Sequence, residues 1–119
     1  MESESLALAR ELDGADLVTS ELALTEVPRA VRRAAAGASD AVLNDLLLRG
    51  FDTLETISLV PLEHEVLVAA GALGESRLRS LDAIHVASAA TAAPIDAFVT
   101  YDARQAEAAR KEGFHVIAP

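Results

Sequence analysis

The sequence predicts an α/β domain of three layers, a parallel sheet flanked by helices, and three observations carry that expectation. Short apolar runs bounded by turn residues alternate along the chain with longer segments whose apolar positions recur at helical spacing. Strands that alternate with helices imply crossover connections, and crossovers make the sheet parallel and cover both its faces. At 119 residues the chain has the usual size of one compact domain, so residues 1–119 are expected to form a single unit. Its composition is 51% hydrophobic but only 3% aromatic, so the core must be filled by aliphatic side chains and alanine.

Leu6, Leu8, Ala9 and Leu12 suggest a short helix that stops at Gly14, and Leu17 to Thr19 reads as a brief buried strand. Ser20 can cap the next helix, from Glu21 to about Ala36, in which Ala23, Val27, Ala30, Val31 and Ala34 keep helical spacing. Pro28 must either kink that helix or, with Thr25 as the cap, lie in its first turn. Ser39 or Asp40 can cap a third helix through Leu48, ended by Gly50. Thr56 to Val60 makes a second strand that Pro61 closes. A helix from about Glu63 to Leu73 precedes turn-like residues at Gly74 to Arg77, and a helix from Ser80 to Ala92 follows that is apolar almost all round. Ala97 to Thr100 is a strand, Ala103 to Glu112 a helix closed by Gly113, and Val116 to Ala118 a terminal strand.

Composition removes several kinds of chemistry. Without cysteine there are no disulfides, thiolate metal sites or cysteine nucleophiles, which leaves oxygen ligands and three histidines, a donor set suited to hard cations. No apolar stretch is long enough to cross a bilayer, and Met1 is followed by Glu2, Ser3 and Glu4 rather than by a secretion signal, so a cytoplasmic location is expected with no membrane contact. The net charge of -9 argues against a broad phosphate-binding surface, so any nucleic-acid chemistry must be focused. Arg29, Arg32 and Arg33 are the dense basic cluster near the front and read most simply as a solvated helix face.

Three carboxylates stand out, each with a simpler explanation beside it. Asp82, with His85 and Ser88, forms a polar strip at three-residue spacing on the otherwise apolar helix; it is also a first-turn acid favoured by the helix dipole. Asp102 follows the strand Ala97 to Thr100 and precedes a helix, which is both an ordinary N-cap and the place where α/β sheets build active sites. Glu26 lies near Arg29, where a surface ion pair would account for it. Together the three could make an acidic pocket for Mg²⁺ or Mn²⁺, ions that activate water in phosphodiester cleavage.

The stretch Val18-Thr-Ser-Glu-Leu-Ala-Leu-Thr-Glu26-Val-Pro-Arg-Ala-Val-Arg-Arg33 resembles the second strand and following helix of VapC-type PIN-domain ribonucleases. Leu78-Arg-Ser-Leu-Asp82-Ala-Ile-His-Val-Ala-Ser-Ala89 and Phe98-Val-Thr-Tyr-Asp102 resemble that family's next two acidic segments, and the likeness continues through the final helix and strand. The resemblance implies that Glu26, Asp82 and Asp102 are catalytic and hold Mg²⁺ or Mn²⁺, with the Thr100 hydroxyl beside them. His85 is expected to orient packing rather than bind metal. The resemblance also implies an RNA substrate, a VapB-type antitoxin whose tail occupies the acidic site, and a homodimer. PIN domains normally open with a short apolar strand that ends in an aspartate and a small hydroxyl residue, and nothing of that kind precedes Glu2. The expectation is therefore a domain that lacks its first strand and first catalytic aspartate and is impaired as a nuclease. The alternative is a catalytically inactive scaffold that binds an antitoxin or dimerises.

Overall fold

The computed structural model describes residues 14–118. The elements run β1 (Val18–Ser20), α1 (Ala23–Ala34), α2 (Asp40–Glu55), β2 (Ser58–Val60), α3 (His64–Gly71), α4 (Ser80–Ala92), β3 (Phe98–Val99), α5 (Ala103–Lys111) and β4 (Val116–Ile117). This is the expected α/β order, and each strand lies within two residues of its sequence assignment. The helix expected over Leu6 to Leu12 lies outside the described residues. All pairing is parallel and is divided between two short ladders, β1 with β2 and β3 with β4; no ladder joins β1 to β3 among the described residues.

The β1–β2 ladder sets Val18 opposite Ser58 and Ser20 opposite Val60. Its C-terminal end is locked by one residue: the Glu21 amide donates to the Val60 carbonyl at 2.9 Å, and the Glu21 carboxylate accepts from the Leu62 amide at 2.6 Å. A charged acceptor on a backbone donor is about twice as strong as a neutral one, which compensates for a strand of only three residues. Ser20 begins the next helix by accepting the Leu22 amide at 3.1 Å, close to the capping role expected of it. With the turn already started at Leu22, Thr25 is not the cap and Pro28 sits inside α1.

Two helix ends differ from expectation for physical reasons. In α2, Ser39 caps as expected, accepting the Val42 amide at 3.2 Å, but the helix runs through Gly50 to Glu55. Gly50 is an approach point and not a terminator: a Cβ built there would stand 3.1 Å from Val27 Cγ1 of α1. The missing side chain lets α1 and α2 pack closely, at the helix-propensity cost of about 1 kcal/mol that glycine carries. α3 is shorter than the expected Glu63 to Leu73, with Glu63 preceding its first turn. By contrast Gly113 has φ 90° and ends α5 in the left-handed conformation that favours glycine.

The core is organised around α4. One of its flanks packs Ala83 and Ala87 against Val66 and Ala70 of α3, and another packs Val86 against Phe98 of β3 and Ala108 and Ala109 of α5. Alanine at these contacts lets helices approach without large side chains, which is how an Ala-rich, aromatic-poor chain fills its interior. Phe98 and Phe114 stack with ring centroids 6.2 Å apart and close the end of the second cluster. Val86 is fully buried whereas Leu81, on the same helix, is 51% exposed. Val86→Ala is therefore expected to cost about 2 kcal/mol in urea unfolding, and Leu81→Ala to stay within about 0.5 kcal/mol.

Candidate functional site

Asp82 and Asp102 come together through two helix starts. Asp82 occupies the first turn of α4, and Asp102 is the N-cap of α5 immediately after β3. Their side chains line one open cavity of about 340 Å³ with Arg77, Arg79, Ala103 and Arg104. α5 follows β3 directly, so its N-terminus lies at the end where parallel strands release their connections, and the start of α4 lines the same cavity. Helix N-termini favour carboxylates, so the fold supports acidic residues at both places before any ligand is considered.

Asp102 is held by a closed set of hydrogen bonds. Its Oδ1 accepts from the Gln105 amide at 2.9 Å, and its own amide donates to Thr100 Oγ1 at 3.0 Å. The Thr100 hydroxyl donates onward to Gln105 Oε1 at 2.7 Å, and Gln105 Nε2 donates to the Asp82 carbonyl at 3.4 Å. Thr100 is buried, 7% exposed, so the bonds made by its hydroxyl are partly shielded from competing water, whereas the Asp102 Oδ1 contact is exposed. Thr100 therefore acts on Asp102 through its backbone, and Gln105 ties the start of α5 to the start of α4. Sequence reading missed Gln105. The signal was present as Asp102-Ala-Arg-Gln105, the spacing of a capping box, although here the glutamine reaches Thr100 and Asp82 rather than the capping amide.

Glu26 is placed differently. His85, one turn beyond Asp82 on α4, pairs through Nε2 with Glu26 Oε1 at 2.5 Å, with side chains 20% and 39% exposed respectively. The expected Glu26–Arg29 ion pair is not among the pairs formed by the described residues. The structure thus puts Asp82 and Asp102 in one cavity and joins Glu26 to the same face of α4 through His85. Among the described residues no three histidine or carboxylate side chains are gathered closely enough to hold a metal.

The two carboxylates of the cavity suit Mg²⁺ or Mn²⁺ by chemistry. Mg²⁺ takes hard oxygen ligands, keeps several waters, and is commonly held by one or two carboxylates together with substrate phosphates. The cap contact occupies only Oδ1 of Asp102, and a carboxylate has lone pairs for more than one partner. Glu75 gathers two cations, one of them the cavity residue Arg77: it accepts from Lys111 Nζ at 3.1 Å and lies 3.7 Å from Arg77 Nε. The Lys111 hydrogen bond, followed by that of the Arg77 amide, holds the Glu75 carboxyl below its usual range.

The chain matches the PIN domain over residues 1–111. It is 38% identical to the ribonuclease VapC35 of Mycobacterium tuberculosis H37Rv over 125 aligned positions, which take in all of this chain and 87% of that protein. It is 38% identical to VapC46 of the same strain, covering 99% of this chain and 86% of the relative, and 35% identical to VapC47 of M. tuberculosis CDC 1551, covering 93% and 77%. No solved structure matches the chain. No described helix is long and apolar enough to cross a membrane. The match over most of the chain, with relatives of this identity and coverage, places the protein in the PIN-domain family of VapC-type ribonucleases.

Proposed function

We propose that the protein is a metal-dependent endoribonuclease, the toxin of a toxin–antitoxin pair, acting in the cytoplasm as one domain and using Glu26, Asp82 and Asp102. The observation that carries this reading is the single cavity that Asp82 and Asp102 share at the starts of α4 and α5. The names of the relatives, each a VapC ribonuclease, support the reaction class and the RNA substrate. Asp82 and Asp102 would hold Mg²⁺ or Mn²⁺, and the ion when bound supplies a polarised water and a counter-charge for the leaving oxygen.

The protein's own groups then have distinct tasks. Asp102 presents its free carboxylate face from a fixed direction, because Thr100 and Gln105 clamp the turn that carries it. Asp82 is brought level with it by the Gln105 bond to its carbonyl. Glu26, oriented by His85 Nε2, is the third carboxylate and lies toward the same helix face, where it can accept a proton from a water aligned for attack. We assign the antitoxin, and a second copy in a homodimer, to apolar surface rather than to the cavity alone. Leu24 of α1 and Leu48 and Phe51 of α2 are all more than two-fifths exposed, more apolar surface than a hairpin of helices needs to leave in water.

Cleavage of RNA by the purified chain in Mg²⁺ or Mn²⁺ is the direct test, with Asp82→Asn and Asp102→Asn expected to lower the rate at least about a hundredfold. A folded chain that binds its antitoxin and cleaves no RNA in either metal identifies the inactive-scaffold reading instead. Asp102 separates structure from chemistry. Asp102→Asn should keep the α5 cap and unfold within about 0.5 kcal/mol of the parent, whereas Asp102→Ala should lose about 1 kcal/mol. Mg²⁺ at ten times its dissociation constant should stabilise the parent by about 1.4 kcal/mol, and Asp82→Asn should reduce that gain. An unchanged gain in the variant would remove Asp82 from the metal site.

A further inference from the structure

Three of the chain's ten basic residues, Arg77, Arg79 and Arg104, line the cavity that holds Asp82 and Asp102, in a protein whose net charge is -9. Their placement runs against helix electrostatics. Arg79 is the N-cap residue of α4 and offers no capping bond, and Arg104 lies in the first turn of α5. Both are positions where the macrodipole disfavours a cation. Arg77 is engaged by Glu75 through both its guanidinium and its amide. Arg79 and Arg104 have no such partner: among the described residues neither is within ion-pair distance of a carboxylate, although Asp82 and Asp102 line the same cavity. Two exposed guanidiniums, one from each helix that supplies a carboxylate, are held at a site where the protein itself gains little from them.

We propose that Arg79 and Arg104 form a two-point clamp for backbone phosphates of the RNA strand, one on the α4 side and one on the α5 side of the Asp82–Asp102 pair. The proposal rests on the ribonuclease reading and adds to it the residues that bind substrate. A guanidinium presents paired donors that match two phosphate oxygens. The clamp also answers a difficulty set by the sequence. A chain of this charge repels RNA over most of its surface, so attraction has to come from a few cations close to the reacting bond. The Arg29, Arg32 and Arg33 cluster lies along α1, away from the cavity's lining, and is not needed for this contact.

The test measures binding of a short fluorescent single-stranded RNA to the full chain carrying Asp82→Asn, in Mg²⁺, across a salt series. Arg79→Gln and Arg104→Gln should each weaken binding about tenfold and lessen the slope of log affinity against log salt by about 0.7, the value for one phosphate contact on a single strand. Arg79→Lys and Arg104→Lys should keep that slope while losing part of the affinity, which also separates charge from folding defects. Arg49→Gln, at an α2 residue paired with Asp45, is the control and should change neither. Parental affinity and slope in both glutamine variants overturn the clamp, even if the chain with all its arginines cleaves RNA and the ribonuclease reading stands. Unchanged RNA binding with weakened binding of polyglutamate would overturn it too and assign the arginines to an acidic protein partner. A chain that neither binds nor cleaves RNA overturns both readings together.

Discussion

The structure depends on the burial of α4. The ladders β1–β2 and β3–β4 contain three and two residues per strand, and strands of that length supply few hydrogen bonds of their own. What joins them is a helix apolar on nearly every side, which packs on α3, on β3 and α5, and against β1. Val86 at the centre of the helix is wholly excluded from water, and Ala83 and Ala87 allow α3 to lie close beside it. Each large side chain buried this way contributes about 1.5–3 kcal/mol, against strands whose marginal ladders would not persist alone.

The same burial fixes the polar strip that α4 carries. Asp82, His85 and Ser88 recur at three-residue intervals, so orienting any one of them orients all three. Asp82 emerges at the N-terminal mouth, where solvent and the dipole both favour a carboxylate. His85 lies one turn deeper and meets Glu26 from α1. Ser88 lies deepest, 1% exposed, and its hydroxyl finds no partner among the described residues. Polarity is therefore graded along the helix from a water-facing acid to a buried hydroxyl. The wet end is the end at which β3 delivers Asp102, so placement of the two cavity acids follows from packing of one helix.

Much of this was legible in the sequence, and the parts that were not have local causes. α4 was readable to the residue because its apolar run begins after polar turn residues and is followed closely by Pro94, so both ends are written in the chain. α5 was readable because Asp102 and Gly113 bracket it. Gly50 misled because a glycine that ends a helix and one that lets a second helix approach look alike until the partner, Val27, is in place. The candidate acids were visible as residue types, but their relations were not. The Asp102 choice between cap and site is no choice in three dimensions, since one carboxylate oxygen caps while the group still lines the cavity. Gln105, Arg79 and Arg104 were overlooked because a short-range pattern gives each an ordinary role as a helix-start residue, and the cavity that Arg79 and Arg104 share is built from two separate segments, 77–82 and 102–104.

Charge organisation is where the sequence reading and the structure bear most directly on each other. A net charge of -9 speaks against a surface-wide attraction for nucleic acid, yet at physiological salt fields from exposed charges fall off over about 8 Å. A polyanion at the cavity therefore experiences chiefly the groups that line it, three arginines and two aspartates, rather than the sum over the chain. That local set has one positive charge in excess when the carboxylates are ionised. Acidic surface elsewhere then opposes unproductive contacts while leaving the cavity attractive. On the clamp proposed above, selectivity for a strand threaded through the site over one lying on the surface would come from two helix starts that the burial of α4 has already brought together.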